Sequence, residues 1–193
     1  GMTENTLMEI KPDRTGPKNL AIILFLGSLL VLVYGYADLQ AHRVGLNEAQ
    51  VDTLLKTPNA QGGEPTTVED YRAFEGEARE DRAFLIRAMS LLGSGGLLLV
   101  GSVFLHRLRR IGAYLCTLGA LVGLIGGVAA SLMVRTSARA HLQDAVVTTY
   151  EAWVYICGVT MGLCLAVAAL PLLNLRASMA LQPVRMVVND ESE

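Results

Sequence analysis

Gly119-Ala120-Leu121-Val122-Gly123-Leu124-Ile125-Gly126-Gly127 lies inside an uncharged apolar run, and its glycines recur every fourth residue at Gly119, Gly123 and Gly127, with Ser131 next in the row. On a helix these positions form one stripe without side-chain bulk, so a neighbouring backbone can approach closely and gain van der Waals contact that lipid cannot supply. The stripe is a packing device and not a chemical site. It marks the run as a helix with close neighbours.

Working outward, the run is one of four apolar blocks: Asn19 to Ala37, Ala83 to Leu105, Ile111 to Val134 and Ala152 to Leu175. Each is near the ~20 residues that carry a helix across ~30 Å of hydrocarbon. With 52% hydrophobic and 18% charged residues, the chain is too apolar for an ordinary soluble domain of its length. The expectation is an all-α membrane protein: a four-helix transmembrane bundle over 19–175, with short tails at 1–18 and 176–193. The leading Gly1-Met2 reads as a tag scar.

Charge placement orients the spans. His106-Arg107-Leu108-Arg109-Arg110 carries three arginines and no acid, so the positive-inside rule keeps it cytoplasmic. Lys11, Arg14, Lys18, Arg176 and Arg185 then also lie inside, and both termini are expected to be cytoplasmic in a plasma (inner) membrane. The insertion 38–82, with ten acids against five bases, lies outside. It contains no N-glycosylation sequon, and no cysteine lies outside the spans, which points to a prokaryotic membrane. Gly35-Tyr36-Ala37 offers small residues where a signal peptidase cuts, but the long polar stretch before the first span favours an uncleaved anchor.

The insertion reads as helical. Asn47 with Gln50 is a capping box ahead of Val51, Leu54 and Leu55, and Pro58 with Gly62-Gly63-Glu64-Pro65 ends that helix. Thr66 with Glu69 is a second capping box. From there to Leu105 there is no proline, so a single helix of nearly forty residues is expected, with Gly76 as its weak point. Tyr71, Phe74 and Ala78 give its projecting part an apolar side whose expected partners are the emerging first helix and the helix after Asn47. Extensions of spans one and two thus form a small external domain.

Other small residues match the central stripe. Gly93 and Gly101 in span two, and Gly158, Gly162 and Ala166 in span four, predict backbone-to-backbone packing of spans two to four. Gly126 and Ala130 form a shorter row on an adjacent face, expected to serve a partner helix. Pro171 should bend span four. Ala177 to Val188 is apolar, with Arg176 just before it and Arg185 within it, and is expected on the inner membrane surface until Pro183 interrupts it, followed by an acidic, disordered end.

The chemical content is thin. Arg87 sits about one turn inside the second block with no carboxylate on its own helix face; Glu151 and Asp38 match it in depth, as partners in an intramembrane ion pair. The alternative is a side chain that snorkels to the interface beside Tyr150, Trp153 and Tyr155. Cys116, Cys157 and Cys164 fall inside spans as small apolar packers, and no external CxxC supports thiol redox work. His42 and His141 are a weak metal pair. No span carries an acid for proton coupling, no phosphate loop is present, and no feature supports nucleic-acid binding or a cofactor. Neither the Trp-Gly-Leu-Trp signature of claudins nor the Cys-Cys-Gly of tetraspanins occurs, although the four-span topology is similar to both. The function expected is that of a membrane scaffold, assembly factor or accessory subunit binding a membrane-protein partner or itself. The alternative is a small-molecule or ion-handling membrane protein, a sensor or an oligomeric channel; an enzyme is disfavoured.

Overall fold

The structure, a computed structural model, describes residues 11–62 and 64–181. Among these it is all helix: α1 (Thr15–Arg43), α2 (Glu48–Ala60), α3 (Val68–Glu80), α4 (Ala83–His106), α5 (Arg110–His141), α6 (Asp144–Leu173) and α7 (Leu175–Ala180). The four apolar blocks become α1, α4, α5 and α6, each long and apolar enough to cross a membrane. Aliphatic side chains such as Ile22, Leu30, Val33, Ile125, Val159 and Leu163 stand exposed around them. So much contiguous exposed apolar surface is that of a membrane protein, where hydrocarbon replaces water as the solvent.

The four long helices pack in chain order. α1 lies along α4, α4 along α5 and α5 along α6, while α1 and α6 touch only sparsely. The tight seams sit where glycines allow them. A Cβ placed on Gly119 would come within 3.0 Å of the Ser94 carbonyl of α4, and one on Gly123 would strike Met161 and Ser94. Gly101 and Gly112 face each other's backbones where α4 turns into α5, and Cys116 fills the space beside them. At the α1–α4 seam the same part is played by Gly35, whose Cβ would lie 3.0 Å from the Leu92 backbone nitrogen, and by Gly95 against Leu32. Gly35 thus belongs to a continuous helix that runs on to Arg43.

The span-four row departs from expectation. Gly158 has only Val128 near it, at 3.7 Å, Gly162 has nothing within 4 Å, and Gly93 likewise faces open space. α6 instead approaches α5 through Cys157, which sits against Gly127. Gly126 and Ala130 also depart from expectation: Ala130 is fully buried and a Cβ on Gly126 would meet Ser90 of α4. That row is used inside the chain.

One end of the bundle carries the α4–α5 turn with Arg107, Arg109 and Arg110. Both ends of the described chain come to it, for the Asp13 N–H donates to the Arg176 carbonyl at 3.1 Å. α7 is capped by the Asn174 side chain, and Leu181 folds back into the core of the bundle at 2% exposure. The segment after α6 therefore turns inward as far as Leu181; residues 182–193 lie outside the described part, as do 1–10.

The other end carries a helical cap. α2 begins at the Asn47/Gln50 capping box, with both reciprocal hydrogen bonds formed, and continues through Pro58 to Ala60. α3 is capped by Thr67 and Asp70, one residue later than the sequence pattern suggests. Thr66 is taken by tertiary contacts: its backbone pairs twice with the Asn59 amide, and its hydroxyl accepts from the Gln143 N–H at the start of α6. The expected forty-residue helix is broken into α3 and α4 at Arg82, whose φ of 56° is left-handed; Gly76 stays helical. A left-handed residue other than glycine costs ~1–2 kcal/mol. The bend turns Tyr71, Phe74 and Ala78 onto Val51 and Leu55 of α2 and onto Val134, Ala138, Val146 and Val147 of α5 and α6. Burying Phe74 alone, fully enclosed here, is worth ~1.5–3 kcal/mol, so the break is offset by one side chain. α5 and α6 overhang to form one wall of the cap: 32 residues at ~1.5 Å each exceed the ~30 Å of hydrocarbon by more than two turns.

Candidate functional site

Arg87 enters the space between α1 and α6 from the first turns of α4. Its Nε donates to Asp38 Oδ2 at 2.7 Å and its Nη2 to Oδ1 at 2.6 Å, a bidentate pair with both side chains about 15% exposed. Asp38 stands one turn beyond Gly35, so the close approach of α1 to α4 at that glycine sets the pair's register. The guanidinium also lies 5.8 Å from the Phe84 ring centroid and 3.5 Å, through Nη1, from Ser131 Oγ.

Of the two carboxylates matched in depth, the fold brings Asp38 to Arg87 and takes Glu151 elsewhere. Glu151 sits on the α5–α6 surface with Arg135, 3.0 Å away, and Arg139. Those two arginines are one turn apart on α5, beyond the uncharged block, and their spacing was the signal that Glu151 had nearer partners.

Around the pair is a cavity of about 390 Å³, within the ~300–1,000 Å³ usual for small-molecule sites. Val31, Leu91, Phe84 and Met161 make its buried wall; Tyr34, Trp153 and Ile156, all substantially exposed, make its rim on the α1–α6 side. Tyr34 and Trp153 meet edge to face across that side, centroids 5.5 Å apart. The cap closes the top. Glu75, 6% exposed, accepts from the Leu46 N–H at 3.1 Å and from Arg72 at 2.7 Å, tying α3 to the α1–α2 connection. The Tyr71 and Tyr150 hydroxyls stand 3.4 Å apart, and the Phe74 ring meets Tyr71 edge to face and Tyr150 at a tilt. Burial, with the nearby Glu75 carboxylate adding to it, pushes the Tyr71 phenol up from its ordinary value, so it remains a neutral donor.

Of the other sequence candidates, Cys157 reaches the cavity lining, while His42, His141, Cys116, Cys164 and Glu151 do not. His141 pairs with Glu77 of α3 at 2.5 Å and fastens the cap to α5. Among the described residues no three His, Cys, Asp or Glu side chains converge as a metal site would require. Cys116 packs against Gly101, Cys157 against Gly127 and Cys164 towards Gly27. The arrangement offers apolar walls, paired charges and hydroxyl donors, which is the equipment of a binding site. Arg87 and Asp38 are legible in the sequence, whereas the cavity is not, because it arises from α1 and α6 staying apart. Comparison with protein families, with characterised proteins and with solved structures finds no match for this chain.

Proposed function

We propose that this protein is a membrane scaffold or accessory subunit that engages a partner helix along α6. The observation that carries the reading is the row Gly158, Gly162 and Ala166: the first two meet almost nothing within the chain, and Ala166 is exposed. Small residues at four-residue spacing let a second helix approach to backbone contact, the main source of association where lipid is as apolar as the side chains. α6 is also the least covered of the four long helices. The partner is a membrane protein or a second copy of this chain. The bundle sits in a plasma membrane of prokaryotic type with the Arg107–Arg110 turn and both chain ends in the cytoplasm and the cap outside, a placement supported by the three arginines at that turn.

Purification from the native membrane in mild detergent, followed by mass spectrometry, tests this. Gly162→Leu is expected to lower the recovered partner at least tenfold with the helical signal and melting temperature intact, whereas Gly93→Leu, on an open face of α4, leaves recovery unchanged. Equal recovery with both variants would sink the proposal.

A second reading, a small-molecule-handling membrane protein, is favoured by the cavity between cap and bundle.

A further inference from the structure

The cavity's open side lies between α1 and α6, whose flanking side chains Leu30, Val33, Val159 and Leu163 are exposed aliphatics. A molecule entering there comes from hydrocarbon, so it must itself be membrane-soluble. Its head is constrained by the charges on the lining. Arg87 is matched by Asp38, and Glu75 by Arg72 just outside the lining, so each charge on the lining already has its counter-ion. A charged head would stand uncompensated in a low-dielectric space, whereas a neutral head adds no such cost.

Hydrogen-bonding capacity is left over. Arg87 Nη1 reaches Ser131 only at 3.5 Å, the outer limit of such a bond, and the 3.4 Å between the Tyr71 and Tyr150 hydroxyls exceeds the ~2.5–3.0 Å of a good O–H···O contact. Arg87 can only donate and the hydroxyls can donate or accept, so what suits them together is a group that accepts: an ester carbonyl or a hydroxyl oxygen. Below them the walls are Val31, Leu91 and Met161, suited to an alkyl chain.

We infer that the cavity binds a neutral single-chain membrane amphiphile, its ester or hydroxyl head at Arg87 and the Tyr71–Tyr150 pair and its chain passing out between α1 and α6 beside Tyr34 and Trp153. The site is separate from the α6 row and stands whether or not a protein partner binds there.

Trp153 is the chain's single tryptophan and sits on the cavity rim, so its fluorescence reads occupancy directly. The full chain in lipid nanodiscs is titrated with a monoacylglycerol whose chain carries two bromines, a contact quencher. The same brominated chain is then offered as a carboxylate at pH 8 and as a trimethylammonium amphiphile. The expected result is saturable quenching by the monoacylglycerol, half-complete at a mole fraction at least tenfold lower than for either charged probe. Ala37→Phe and Thr160→Phe, which place a ring into the space from opposite walls at exposed positions, should each raise that midpoint tenfold or more; if one does not fold, the other decides. Quenching that climbs in proportion to mole fraction for all three heads is contact with surrounding lipid and overturns the site. Tighter or equal saturation by a charged probe overturns the head assignment, and an unmoved midpoint in the folded phenylalanine variants overturns the location.

Discussion

Replacing Asp38 by asparagine leaves the Arg87 guanidinium facing a neutral amide, with Ser131 at 3.5 Å and the Phe84 ring as its remaining company. Breaking a buried ion pair from one side costs ~3–5 kcal/mol, because the surviving charge is desolvated and unmatched. Both side chains here keep about 15% exposure, and an arginine stem can carry its head towards the interface, so the low end applies, about 3 kcal/mol. For a chain of this size that is a fall of roughly 6–12 °C in melting temperature. Arg87→Gln should cost a similar amount. The double variant Arg87→Met with Asp38→Leu removes both charges and fills the space, so it should return to within about 1 kcal/mol of the parent. Glu151→Gln is the control: its pairs with Arg135 and Arg139 are partly exposed, and about 1 kcal/mol or less is expected. Circular dichroism melts in one detergent measure all four. A double variant that falls by the summed losses of Asp38→Asn and Arg87→Gln, or a Glu151→Gln loss as large as that of Asp38→Asn, would refute the pairing.

Three further outcomes follow from the geometry. Gly112→Ala drives a Cβ into the Leu105 nitrogen and the Gly101 carbonyl, backbone atoms that cannot swing aside, and should cost at least ~1–3 kcal/mol in the same melts; Gly162→Ala, in open space, should be neutral or gain up to ~1 kcal/mol from helix propensity. Arg82→Gly relieves the left-handed residue and should keep the cap seated, whereas Arg82→Pro, which cannot adopt a φ of 56°, should release α3 from α5, seen as faster amide exchange over 68–80. Asp70 is held below its usual 3.8 by hydrogen bonds from the Thr67 hydroxyl and then the Thr67 backbone. A lowered folded value means that its stabilising effect is present in full above the unfolded pKa and disappears as the pH falls through the folded one. Protection of the α3 amides, taken relative to their intrinsic exchange rates, should therefore fall below about pH 4 in the parent, and Asp70→Asn should lack that pH dependence.

The four long helices were legible because hydrocarbon imposes a length and a composition on anything that crosses it, and no tertiary detail alters that. The start of α2 was legible because Asn47 and Gln50 satisfy each other locally. The start of α3 was not, since Thr66–Glu69 and Thr67–Asp70 fit one pattern equally and the choice is made by Asn59 and Gln143, distant in sequence. Nothing local marks the break at Arg82. It is set by the apolar side of α3 finding α5 and α6 in addition to the expected α2. Arg87's need for a partner could be read from its depth; which carboxylate answers depends on how the helices are rotated.

The same distinction explains the cavity. Gly35 and Gly95 draw α1 onto α4; Gly101, Gly112, Gly119 and Gly123 draw α4 onto α5; Gly127 receives Cys157 from α6. No corresponding set joins α6 back to α1, where Gly27 meets only Cys164, at 3.7 Å. In a soluble bundle, burial of apolar surface would pull such a seam shut. In a membrane that force is absent, because lipid chains solvate Leu30 or Val159 as well as another helix does. A seam without a close glycine contact therefore stays open at little cost, and the Tyr34–Trp153 edge contact bridges it. The Gly119–Gly127 stripe lies along the α4–α5 and α5–α6 seams. By leaving the fourth side without such a set, the sequence also places an opening beside its most deeply set ion pair.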